Sequence, residues 1–136
     1  MPKPRAITLI ELLLVISLIA ILSGIAIPNY IKAKEHALGQ EASANLLLIA
    51  AAERAYRMEQ GGSYYPTTAS TVSILSTIND NLNLALSSTN WSYSITTTGS
   101  NPSTAFTATA DRVSTDCLYE MKDTYTKPLV KSGTCP

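Results

Sequence analysis

Glu11 is the residue whose setting asks for an explanation. It is the one charged side chain between Ile7 and Pro28, in the run ITLIELLLVISLIAILSGIAIP. An apolar run of this length can cross the hydrocarbon core of a bilayer as a helix. A carboxylate at the centre of such a span costs roughly 2.5–3.5 kcal/mol on insertion scales, so it belongs near an end or beside a partner. Glu11 lies about one helical turn past Ile7. Ahead of the run stands Met1-Pro2-Lys3-Pro4-Arg5-Ala6, which is basic, free of acid and closed by a small residue. That junction reads as a processing site. An ordinary signal anchor with a stray carboxylate is the plainer alternative. A secretory signal peptide fits less well, because its apolar core is shorter and its small-residue cleavage site follows that core.

The remaining candidates for chemistry are sparse. Cys117 and Cys135 lie near the C-terminus. In a small exported domain, two cysteines that close a short loop are expected to form a disulfide, worth about 3 kcal/mol by chain entropy. Free thiols or half a metal site are the alternatives, and no C-x-x-C or Cys/His cluster supports metal. Asn79-Asp80-Asn81 with Asn83 offers hard oxygen donors, which makes Asp80 and Asn81 weak candidates for Ca²⁺. No further acids stand at loop spacing, so neither a metal site nor a cofactor is expected. Asn90-Trp91-Ser92 matches a glycosylation sequon, but Trp91 reads as the start of a strand. His36, the only histidine, has no acid or nucleophile placed to make a triad and reads as a solvated helix position. There is no phosphate-binding glycine loop and no carboxylate dyad, so no enzyme is expected.

Charge and composition narrow the partners. Ten basic residues balance ten acidic ones; without Lys3 and Arg5 the count is eight against ten. A slightly acidic chain is a poor general nucleic-acid binder. Lys122, Lys127 and Lys131 form a loose basic group that offers a surface for DNA or another anion, although nothing else in the sequence indicates DNA. Their bland role is to decorate a sheet edge and discourage strand addition.

Ile7 to Gln60 reads as one long helix, apolar all round at first and amphipathic from Asn29 to Gln60. Leu48, Ile49, Ala52, Ala55 and Tyr56 mark an apolar stripe. Lys34, Glu41, Glu53, Arg57 and Gln60 fall on the opposite side, with Glu53 and Arg57 spaced for an i,i+4 pair. Gly24 and Pro28 are breakers, and a bend is expected there. Gly61-Gly62 ends the helix. Ser70 to Leu86 reads as a short helix or irregular segment. Trp91, Tyr93 and Ile95 then alternate with polar residues as a half-buried strand. Ala105 to Ala110, Cys117 to Met121 and Thr124 to Val130 are further strands, the last placed at an edge by Pro128. The fold class is α+β, a long helix whose amphipathic half packs on a small antiparallel sheet.

Ala6, Ile7-Thr8-Leu9-Ile10-Glu11 and the apolar run closely resemble the class III signal of type IV prepilins and pseudopilins. The resemblance implies cleavage between Ala6 and Ile7 by a membrane prepilin peptidase, N-methylation of Ile7 and retention of the helix, with Glu11 as the fifth residue of the mature chain. The family nearly always has Gly where this chain has Ala6 and usually Phe where it has Ile7. The resemblance also implies the pilin fold, with Gly24 to Pro28 as a segment that melts in the filament. The resulting division is residues 1–6 as leader, 7–28 as the membrane and polymerisation helix, and 29–60 as its amphipathic half. Residues 61–90 form the connecting region, and 91–136 the sheet with its C-terminal loop.

The expected function is therefore structural: a subunit of a type IV pilus-like filament, a homopolymer. It waits in the inner membrane with a periplasmic head and assembles with a platform protein and an assembly ATPase that this chain does not supply. The amine of Ile7 becomes a cation at the end of an apolar helix and needs a partner. Glu11 of a neighbouring subunit can provide it; a pair with its own amine is the alternative. Tyr65-Pro66-Thr67-Thr68 also resembles the major pseudopilin of type II secretion systems, whereas the cysteine loop favours a pilin. Outside this class, a membrane-anchored DNA- or sugar-binding module would use the helix only as a tether.

Overall fold

The computed structural model describes residues 7–99 and 103–135. The expected leader, including Ala6, lies outside them. Helix α1 spans Leu9–Glu59 and continues through Gly24 and Pro28. The chain divides into two compact units, one ending at His36 and the other beginning at Ala37. In the first unit every large apolar side chain from Ile7 to Ile31 is exposed, from 49% at Val15 to 78% at Ile7. A contiguous apolar surface of that extent marks a membrane or protein contact. By length and composition, α1 is apolar enough near its start to cross a membrane.

The second unit holds a five-stranded antiparallel meander in the order β1-β2-β3-β4-β5. Its strands are β1 (Thr71–Val72), β2 (Trp91–Thr98), β3 (Ala105–Arg112), β4 (Cys117–Lys122) and β5 (Leu129–Gly133). Period-two alternation decides which face is buried. Trp91, Tyr93, Ile95 and Thr97 turn inward from β2, and Phe106, Ala108 and Ala110 from β3. The register aligns Ile95, Ala108 and Met121 in one row and Tyr93, Ala110 and Tyr119 in the next. Small residues on the central strand thus lie between large ones. That hollow admits Ala42, Leu46, Ile49 and Ala50 of α1, all fully buried. Trp91 anchors the layer: its Nε1 donates to the Leu38 carbonyl at 3.0 Å, and its ring meets Tyr119 edge to face. Burying each such large side chain contributes roughly 1.5–3 kcal/mol.

Helix α2 (Leu75–Leu82) buries Ile78 and Leu82 and ends at Asn83 in the left-handed region. The Asn79 amide both donates to and accepts from the Leu86 backbone at 3.0 Å, closing the segment after the helix.

Several sequence expectations need correction. The buried face of α1 in the second unit is Gly39, Ala42, Leu46, Ile49, Ala50 and Glu53. Leu48 is 50% exposed and is not part of it. Glu53 lies inside and makes no pair with Arg57. The sheet and the segment Ser63 to Pro66 cover a face rotated from the expected stripe, and Arg57 bonds instead to Gly62 and Tyr64. The last strand begins after Pro128, because proline supplies no ladder donor; Thr124 to Pro128 stay outside it. The short strand β1 pairs with β2 within the stretch expected to be helical or irregular.

Candidate functional site

Thr8 and Glu11 form a reciprocal cap at the start of α1. The backbone N–H and hydroxyl of Thr8 donate to Glu11 Oε2 at 2.9 and 2.8 Å, and the Glu11 N–H lies 3.3 Å from Thr8 Oγ1. Thr-x-x-Glu is the spacing at which a helix satisfies orphan N–H groups with its own side chains. The negative charge is therefore held at the helix N-terminus, where the macrodipole favours it. Thr8 was absent from the candidates drawn from sequence, although the motif that identifies it is legible there. Glu11 is exposed among Ile7, Leu12, Leu14 and Val15.

Gly24 lies inside α1 with open space around its α-carbon, so nothing near it among the described residues requires a glycine. Pro28 also lies inside the helix. In the second unit α1 presents Leu47 and Leu48 to solvent, 43% and 50% exposed. Its outer face there is apolar in places where a solvated helix would be polar.

The cysteines are joined: Cys117 at the start of β4 bonds Cys135 beyond β5, with α-carbons 5.0 Å apart. Between them Gly133 has φ +81° and lies so close to the Asp116 carbonyl that a Cβ would overlap it. Thr134 N–H donates to the same carbonyl at 3.0 Å. The disulfide and this approach fix the end of an edge strand whose five residues are all exposed.

The other singled-out residues disperse. Asp80 and Asn81 sit exposed on α2, with the Asn81 amide donating to the Thr77 carbonyl. His36 is exposed. Asn90 donates to Glu41 at 3.2 Å. Lys122 and Lys131 both pair with Glu120, at 3.0 and 2.8 Å, which partly neutralises the basic group. Burial alone would push the Glu120 carboxyl up, but hydrogen bonds from Lys131 and Lys122 and their charges together hold it below its ordinary value.

One carboxyl was not foreseen as special. Glu53 is fully buried; its Oε2 accepts the Tyr65 N–H at 2.8 Å, while its Oε1 has no hydrogen-bond partner among the described residues. Desolvation raises its pKa to about 8, against the opposing effect of the Tyr65 hydrogen bond. At neutral pH this group is mostly a neutral acid joining α1 to the connecting segment.

Residues 1–27 match the family described as the prokaryotic N-terminal methylation motif. The chain is also similar to the type IV major pilin protein PilA of Myxococcus xanthus (strain DK1622), with 41% identity over 59 residues. The match covers 43% of this chain and 27% of that relative, so the chain spans about a quarter of the relative's length. No solved structure matches. The two likenesses support the type IV pilin family.

Proposed function

We propose that this chain is a structural subunit of a type IV pilus-like filament, assembled through α1 after removal of residues 1–6 and methylation of Ile7. The observation that carries the reading is Glu11: a single carboxylate, held at the start of a helix whose apolar side chains are exposed all round. It lies within the segment that matches the methylation motif. Cleavage between Ala6 and Ile7 leaves a cationic amine at the helix end. In an apolar bundle that amine needs a counter-charge, and Glu11 of the neighbouring subunit supplies it, which sets the axial register. The bonds from Thr8 keep the carboxylate turned toward that end of the helix. Adhesion comes from packing of the apolar helices, with Ala20, Ser23, Gly24 and Ala26 permitting close approach. The steric freedom around Gly24 supports a glycine kept for a neighbour. The segment Gly24 to Pro28 is where the helix would yield during assembly.

In this reading the subunit waits in the inner membrane with its head in the periplasm. It uses a prepilin peptidase, a platform protein and an assembly ATPase. Glu11→Ala tests it in the native host. The variant is expected to be made and cleaved normally, with sheared filaments at least about tenfold scarcer, as loss of a buried charge partner implies. Wild-type filament yield from this variant would contradict the pairing. Tyr65-Pro66-Thr67-Thr68 favours a second reading, the major pseudopilin of a type II secretion system. There the processed, methylated chain would stay with the cell envelope.

A further inference from the structure

The second unit carries opposite charge at the two ends of its helix segment. At the end near Glu59, an open cleft is lined by Arg54, Arg57, Met58, Gly61, Gly62 and Tyr64, with no carboxylate among them. Arg57 is held in place: Nε donates to the Gly62 carbonyl at 3.1 Å and Nη1 to the Tyr64 hydroxyl at 3.0 Å. Its guanidinium stacks 4.8 Å above the Tyr64 ring. Arg54 is exposed and makes no bond among the described residues. Met58 is 81% exposed. This end therefore presents an apolar knob beside two guanidinium groups.

At the other end, beside Leu38 and Glu41, lies the turn between β3 and β4. Its place is fixed by Val113 N–H donating to the Asn90 carbonyl at 3.3 Å. Asn90 in turn bonds Glu41, and Trp91 bonds Leu38. Asp111, Val113 and Asp116 are all exposed, Val113 at 67%. Arg112 is turned inward over the Trp91 ring at 5.6 Å and is buried, so the exposed charge of the turn is acidic. Here an apolar knob stands between two carboxylates. Leu38 and Arg57 are about 28 Å apart along the helix at 1.5 Å per residue.

We propose that these two surfaces are the halves of one head-to-tail contact, in which the Arg54, Arg57 and Met58 end of one copy receives the Asp111, Val113 and Asp116 turn of the next. Between parallel copies a two-fold pairing sets guanidinium against guanidinium or carboxylate against carboxylate. An antiparallel two-fold pair also matches the charges, but it turns the chains end for end, whereas copies drawn from one membrane run parallel. Among parallel copies only the head-to-tail arrangement matches the charges. Because its two halves are different surfaces, the contact repeats without limit unless the rotation closes a ring, so it suits an open filament. Charge fixes partner and register, while Met58 against Val113 removes apolar surface from water. The contact rests on the filament reading and gives the heads a share in it besides the helices.

The test uses the full chain in its native host and compares sheared filaments from four strains: wild type, Arg54→Glu, Asp111→Lys with Asp116→Lys, and all three changes together. Arg57 is left alone because it holds Gly62 and Tyr64. The double-lysine variant is expected to lower filament yield about tenfold or more through like-charge apposition, Arg54→Glu to lower it less because Arg57 remains, and the combined variant to recover part of the double-lysine loss. Met58→Cys with Val113→Cys is expected to give a ladder of disulfide-linked subunits in filaments. Normal yield from both one-sided reversals, no recovery in the combined variant, or no ladder would each overturn the contact. If such failure accompanies a filament-free Glu11→Ala strain, the filament reading stands alone. If the wild type itself is absent from filaments, both fall.

Discussion

At Glu11 an observed role and a proposed one meet in one side chain, the helix cap with Thr8 and the proposed counter-charge for a neighbour, and they separate by mutation. Thr8→Val removes the hydroxyl of the cap and costs about 1 kcal/mol of helix start, but leaves the carboxylate in place. It is expected to assemble nearly as well as wild type, where Glu11→Ala does not; equal defects in filament yield would assign Glu11 to capping alone. Glu53 makes a different prediction, one of pH. Its folded pKa, raised to about 8, exceeds the ordinary 4.5. Its stabilising contribution is therefore complete below about 4.5 and is lost as pH rises toward and through 8. The detergent-solubilised chain should melt at a higher temperature at pH 5 than at pH 8. Glu53→Gln, which keeps an oxygen for the Tyr65 N–H and never ionises, should flatten that slope and raise the melting temperature at pH 8. A wild-type slope retained in the variant would assign the dependence elsewhere. Sequence alone identifies Glu11, because a lone charge in an apolar run is conspicuous. Glu53 stands four positions before Arg57, a spacing that reads as a solvated ion pair, and its burial depends on Tyr65, twelve positions later.

The elements were legible wherever one period dominates. Strict alternation locates β2, and Ala105 to Ala110 gives β3 except for its last two residues. The apolar run with Thr8 and Glu11 gives the start of α1. Mixed patterns misled: Leu47-Leu48-Ile49 is apolar on more than one face, and only the sheet shows which face is covered. Strand β1 has two residues and owes its existence to pairing with Thr96 and Ile95, which no local pattern records. The stapled edge gives the prediction at this scale. Cys117→Ser should lower the stability of the solubilised chain by about 3 kcal/mol on the chain-entropy estimate. Gly133→Ala should also destabilise it, with the disulfide present, because a Cβ overlaps the Asp116 carbonyl and φ is positive. Unchanged melting of Gly133→Ala would mean that the end of β5 is not held against β4 in solution.

As a whole molecule, the chain joins one unit that buries its apolar residues to another that exposes them. The core around Trp91, Phe106 and Leu46 is closed by helix, sheet and disulfide. From Ile7 to Ile31 the large apolar side chains have no cover among the described residues. On the proposed reading, a lipid bilayer would satisfy that surface before assembly and other copies of the same helix afterwards, with the carboxylate at its start setting how those copies align. The measurement that bears most directly on this account is the intact mass, with N-terminal peptide mapping, of the protein in sheared surface filaments of its native host. The account predicts an abundant chain that begins at methylated Ile7 and is two hydrogens lighter than its reduced form. A chain still beginning at Met1, found only in the cell envelope, would contradict it and reduce α1 to an anchor.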